Sequence, residues 1–96
     1  MRRAMDYVFT MDKEEILIEG LQKDTRAQVI AKYVKCRKDK KMTQENLSRL
    51  SGISRPNITR FESGHYNPSL EMLVRIAAAM DMEVEINLVK RKSVQN

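Results

Sequence analysis

The sequence predicts a mainly α-helical bundle of four to five helices that ends in a β-strand. Three observations predict it. Apolar residues recur at helical spacing through most of the chain, as Ile30, Tyr33 and Val34 do on one stripe. Helix punctuation frames these runs: Thr43, Ser54 and Ser69 stand where starts need a cap, and Gly52 and Gly64 where stops need one. Near the end, Glu83-Val84-Glu85-Ile86-Asn87-Leu88 changes to alternation with period two, the pattern of a strand with Val84, Ile86 and Leu88 on one face.

Ninety-six residues make one small domain, and 42% hydrophobic content suffices for one helical core. Tryptophan is absent and aromatics are 5%, so Leu, Ile, Val and Met must fill that core. The net charge of +5 favours a polyanionic partner. Residues 1–23 carry four basic and five acidic side chains, so the positive excess lies wholly in residues 24–96. The single cysteine, Cys36, cannot form an internal disulfide, which suits a reducing cytoplasm. Arg2-Arg3 is followed by no apolar run, so no secretory leader is expected, and no apolar stretch is long enough to span a bilayer.

The elements follow in order. Residues 1–23 form an appendage, with Tyr7-Val8-Phe9-Thr10 able to make a short strand and Asp12 to Leu21 a helix weakened at its end by Gly20. Helical spacing then runs from Thr25 to about Lys40, and basic residues crowd its last turn, where they complement the helix dipole. Thr43 caps a second helix with Leu47 and Leu50 inward. Gly52 supplies the left-handed turn, and Ile53 plugs the corner. Ser54 caps a third helix, whose first turn tolerates Pro56 because amides there lack an intrahelical partner. Ile58 and Phe61 face inward. After the loop His65-Tyr66-Asn67-Pro68, Ser69 caps a fourth helix with Leu70, Leu73, Val74, Ala77 and Met80 on its inner side, and Asp81 marks its end. The domain reads as residues 24–82, followed by a strand and polar tail at 83–96.

Two short helices joined by a glycine-centred turn form a helix-turn-helix, whose second helix enters the DNA major groove. With Ile58 and Phe61 turned inward, Arg55, Pro56, Thr59 and Arg60 remain outward, and Asn57 lies near the exposed start. Arginine makes paired hydrogen bonds to guanine, and asparagine to adenine. Thr43, Gln44 and Ser54 stand at helix N-termini, where amides and hydroxyls hold phosphate oxygens. A solvated polar face has the same composition; the whole Thr43–Gly64 pattern, with both turns in place, decides for DNA. Arg37 falls on the apolar stripe of the first long helix. Two readings stand for it: an ion pair with Glu62, or a guanidinium that snorkels to solvent.

Residues 26–82 resemble the Cro/C1-type (Xre-like) helix-turn-helix family, which has the lambda-repressor-like fold. The matching stretches are Lys41-Met42-Thr43-Gln44-Glu45-Asn46-Leu47, Gly52-Ile53-Ser54-Arg55-Pro56, Ile58-Thr59-Arg60-Phe61-Glu62-Ser63-Gly64 and Asn67-Pro68-Ser69-Leu70. The resemblance implies a transcriptional regulator, usually a dimer on operator DNA. Gln44 matches a glutamine that touches backbone and base. Arg55, Pro56, Asn57 and Arg60 match base-reading positions, and Arg37 and Glu62 match a buried Arg–Glu pair. His65, Tyr66 and Asn67 fall where the family contacts the DNA backbone, although His65-Tyr66 replaces a common lysine or arginine.

The chain departs from the pattern elsewhere as well. Ser48 stands in place of a usual alanine, and Asp81 in place of a usual glycine. The ending Met82–Val89 is similar to antitoxin repressors of the HipB and HigA kind, in which such strands pair across a dimer. Pairing with a symmetry mate removes an exposed strand edge; pairing with Tyr7–Thr10 of the same chain is the rival. The expected function is therefore a homodimeric repressor on an inverted-repeat operator. The alternative is an antitoxin whose acidic residues 1–23 bind a toxin protein. Neither needs a cofactor. The sole histidine, His65, and Cys36 have no companions at metal-ligand or catalytic spacing, so no metal site and no enzyme activity are expected.

Overall fold

The computed structural model describes residues 13–91. Four helices follow one another: α1 (Lys13–Asp39), α2 (Gln44–Ser51), α3 (Arg55–Ser63) and α4 (Leu70–Ala79). α1 packs on α3, and α2 packs on both α3 and α4.

α1 is one continuous helix of 27 residues, where two segments, Asp12 to Leu21 and Thr25 to about Lys40, were expected, the first weakened at its end by Gly20. A helix-interior glycine costs about 1 kcal/mol relative to alanine, and the Glu, Ile, Leu, Gln and Lys around it sustain propagation. Glu14 and Glu15 occupy the first turn and Arg37 and Lys38 the last, each sign matched to the dipole. The helix stops without glycine. Lys41 adopts φ 57°. The Met42 amide donates to Arg37 O at 3.0 Å and the Lys41 amide to Lys38 O at 2.9 Å, which together make a Schellman motif. α4 ends the same way: Asp81 has φ 60°, and the Met82 and Asp81 amides donate to Ala77 O and Ala78 O. Aspartate is among the few side chains that enter this region readily, which is how it replaces glycine here.

The core consists of Ile30, Leu47, Ile58, Phe61, Ile76 and Met80, with Tyr33, Val34, Met42, Ile53, Met72 and Leu73 packed against it. The Tyr33 ring stands edge-on to Phe61 at 5.3 Å, and its hydroxyl donates to Leu73 O at 2.8 Å. Two inner faces differ from expectation. Leu50 is 55% exposed, so α2 is anchored by Leu47 alone among its leucines. Leu70 and Val74 are also exposed, because α4 is rotated to bury Ile76, while Ala77 and Met80 are inward as expected. The stripe Met72–Leu73–Ile76–Ala77–Met80 meets helical spacing as well as the expected one, and contact with α2 selects it.

The expected C-terminal strand is absent among the described residues. Ile86 is 66% exposed and Leu88 97%, while Val84 is half-buried. Strand geometry needs a ladder partner, and Tyr7–Thr10, the rival partner expected within the chain, lies outside the described residues. The tail instead approaches the start of α1, where Arg91 comes within 3.9 Å of Glu14.

Candidate nucleic-acid interface

The site is assembled by its turns. Thr43 and Asn46 form a reciprocal capping box: Thr43 Oγ1 accepts from the Asn46 amide, and Asn46 Oδ1 from the Thr43 amide, both at 2.9 Å. α2 is closed by Gly52 at φ 77°, whose amide donates to Ser48 O. The Ser48 hydroxyl donates to Ile53 O, so the residue in the usual alanine position ties the end of the turn back to α2.

Ser54 stands at the N-cap of α3 but makes no side-chain capping bond, contrary to expectation. Its carbonyl receives the Asn57 and Ile58 amides, both at 3.0 Å, and Pro56 removes one donor from the first turn. The hydroxyl is therefore not engaged in capping. Ile58 and Phe61 are fully buried and fix α3 in rotation. Arg55, Pro56, Asn57, Thr59 and Arg60 consequently share the solvent side. Among the described residues, no ion pair restrains Arg55 or Arg60. Guanidinium groups on that face keep all their donors for an incoming ligand.

Behind this face the expected pair is present. Arg37 Nε donates to Glu62 Oε2 at 2.7 Å and Arg37 Nη2 to Glu62 Oε1 at 2.9 Å. Arg37 Nη1 also donates to Met42 O at 2.9 Å, bracing the loop that leads into α2. Gln44 joins the same network. Its Nε2 donates to Glu62 Oε1 and its Oε1 accepts from Thr59 Oγ1, both at 3.0 Å. Arg37, Glu62, Gln44 and Thr59 thus connect α1, α2 and α3.

The remaining sequence-predicted residues lie in the loop after α3. His65 is exposed, and its amide donates to Ser63 Oγ at 3.3 Å. Tyr66 is half-buried and lines a shallow groove with Ser54, Asn57 and Arg75. Asn67 Oδ1 accepts from Arg26 Nη1, which ties the loop to α1. Lys38, Lys40 and Lys41 form an exposed basic rim beside the start of α2. Lys35 is engaged by Asp39 at 2.8 Å, a bond that raises its pKa above the ordinary value. No group of His, Cys, Asp or Glu among the described residues is arranged to hold a metal ion. No helix among them is long and apolar enough to cross a membrane.

Two short helices at a glycine turn, with a polar and cationic second helix presented outward, define a helix-turn-helix DNA-binding module. A helix-turn-helix family model matches residues 35–86. The chain is 39% identical over 51 residues to YqaE, an uncharacterized HTH-type transcriptional regulator of Bacillus subtilis; this spans 53% of the chain and 44% of that protein. It is 32% identical over 75 residues to an uncharacterized HTH-type transcriptional regulator of Haemophilus influenzae, spanning 78% of the chain and 72% of that protein. The protein belongs to the Cro/C1-type (Xre-like) family of helix-turn-helix transcriptional regulators, a family of DNA-binding proteins. A solved toxin–antitoxin module from Streptococcus pneumoniae has a chain of similar fold, with a TM-score of 0.57 and 26% identity, covering 93% of this chain and 96% of that one.

Proposed function

We propose that the protein is a sequence-specific repressor that binds an inverted-repeat operator as a homodimer in the cytoplasm. The carrying observation is the α3 face, on which Arg55, Asn57, Thr59 and Arg60 share one exposed side above the buried Ile58 and Phe61. Arg55, Arg60 and Asn57 read base edges, while Thr43, Gln44 and Ser54 hold phosphates. His65, Tyr66 and Asn67 flank the backbone on the other side of α3. The exposed Ile86 and Leu88 support dimerisation: a second copy would supply a ladder partner for the Val84–Leu88 segment, which has none among the described residues. Two recognition helices then enter successive major grooves about 34 Å apart. Selection of bound duplexes from a random pool tests the reading. A palindromic consensus with half-sites one helical turn apart is expected; enrichment of no sequence overturns it.

The likeness to a chain of a toxin–antitoxin module supports a second reading, an antitoxin that binds a toxin protein and represses its own promoter. The start of α1 suits a protein contact, because Ile16, Ile18 and Leu21 are exposed there beside the acidic Glu19. Ile18→Asp with Leu21→Asp would release a co-purifying partner while leaving DNA binding intact. Retention of the partner by this variant contradicts that contact.

A further inference from the structure

We infer that Thr59 is a positioning residue for Gln44, and that Gln44 meets DNA through one oriented N–H. The inference rests on the DNA-binding reading above. The Thr59 hydroxyl donates to Gln44 Oε1 at 3.0 Å. At the other end of the same carboxamide, Gln44 Nε2 donates to Glu62 Oε1, also at 3.0 Å. An amide gripped at both ends has one orientation. Turned over, it sets its oxygen against a carboxylate that has no proton to give, while the Thr59 hydroxyl would only change from donor to acceptor; Glu62 therefore sets the orientation and Thr59 holds the far end in place.

After these two bonds the carboxamide nitrogen retains one N–H. That N–H is the donor left for an acceptor on DNA, a phosphate oxygen or a purine N7. Glu62 performs the gripping without repelling the phosphates, because Arg37 reaches both of its oxygens. Order therefore passes outward from the shielded Arg37–Glu62 pair, through Gln44, to Thr59 on the solvent side of α3. Thr59 completes the arrangement, since Glu62 alone leaves the amide hinged at one end.

The test uses the duplex that the wild-type chain enriches from a random pool. Its dissociation constant is measured by fluorescence anisotropy, at one salt concentration, for wild type, Thr59→Val, Thr59→Ser, Gln44→Ala and Thr59→Val with Gln44→Ala. Loss of a net hydrogen bond predicts that Thr59→Val weakens binding roughly two- to tenfold. Thr59→Ser restores the wild-type value, and Thr59→Val adds no further loss in the Gln44→Ala background. The Tm of Thr59→Val stays at the wild-type value. Equal losses from Thr59→Val in both backgrounds, or equal losses from Thr59→Val and Thr59→Ser, overturn the inference, as does wild-type affinity in Thr59→Val. Failure of the wild type to enrich any duplex overturns the DNA-binding reading itself, and this inference with it.

Discussion

Arg37 on α1 and Glu62 on α3 are joined by two hydrogen bonds, of 2.7 and 2.9 Å, with side-chain exposures of 12% and 9%. Charges this shielded are costly to separate. A buried pair adds little net stability, yet removal of one partner strands the other at about 3–5 kcal/mol. Arg37→Met is expected to lower unfolding free energy by that amount in urea titrations. Arg37→Met with Glu62→Leu recovers most of the loss, because no unpaired charge remains.

Tyr33 links α1 to the core through its edge contact with Phe61 and its bond to Leu73 O. Burial raises its phenol pKa above the ordinary value of 10.0. The folded state therefore holds the phenolic proton more tightly than the unfolded chain does. That contribution is fully present below pH 10.0 and is lost as pH rises through the higher folded value. Chemical denaturation between neutral and strongly alkaline pH should show this decline in the wild type and a shallower one in Tyr33→Phe.

The turn between α2 and α3 depends on Gly52 at φ 77°. A Cβ there meets nothing closer than Arg75 Nη1 at 3.7 Å, so the obstacle is backbone conformation and not space. Gly52→Ala should cost about 1–2 kcal/mol in thermal or urea unfolding. Asp81→Gly should change stability by less than about 1 kcal/mol, since relief of the left-handed conformation is offset by a more flexible unfolded chain.

Dimerisation through the tail gives a further expectation. Truncation after Met82 removes Val84, Ile86 and Leu88 and should convert a dimer to a monomer in sedimentation equilibrium, with much weaker operator binding. An unchanged dimer shows that the interface lies elsewhere, with exposed Leu50, Leu70 and Val74 as the next surface to test.

The helix-turn-helix was legible because its signals are local. Thr43, Gly52, Pro56 and Gly64 mark boundaries through backbone chemistry that no tertiary contact has to supply. Arg37 and Glu62 were legible as charges on inward faces able to pair, and the resemblance to a family favoured that pair over an arginine reaching solvent. The face of α4 was not: Leu70 and Val74 compete with Met72 and Ile76 for the inner side, and only packing against α2 decides between them. The continuity of α1 through Gly20 depends on propagation along the whole helix. The Thr59–Gln44 bond joins two helices across the turn, and neither residue's spacing announces it. Alternation in 83–88 describes a capacity for pairing, which needs a ladder partner that the described residues do not supply.

We propose that α3 reads sequence through Arg55 and Arg60. The direct measurement is the affinity of wild type, Arg55→Ala and Arg60→Ala for the selected duplex and for a scrambled duplex, at matched salt. Loss of a base-reading contact predicts a selective penalty of about 1–3 kcal/mol on the selected duplex, with less loss on the scrambled one. Equal loss on both duplexes would show that the two arginines contact only phosphate, and would contradict the account.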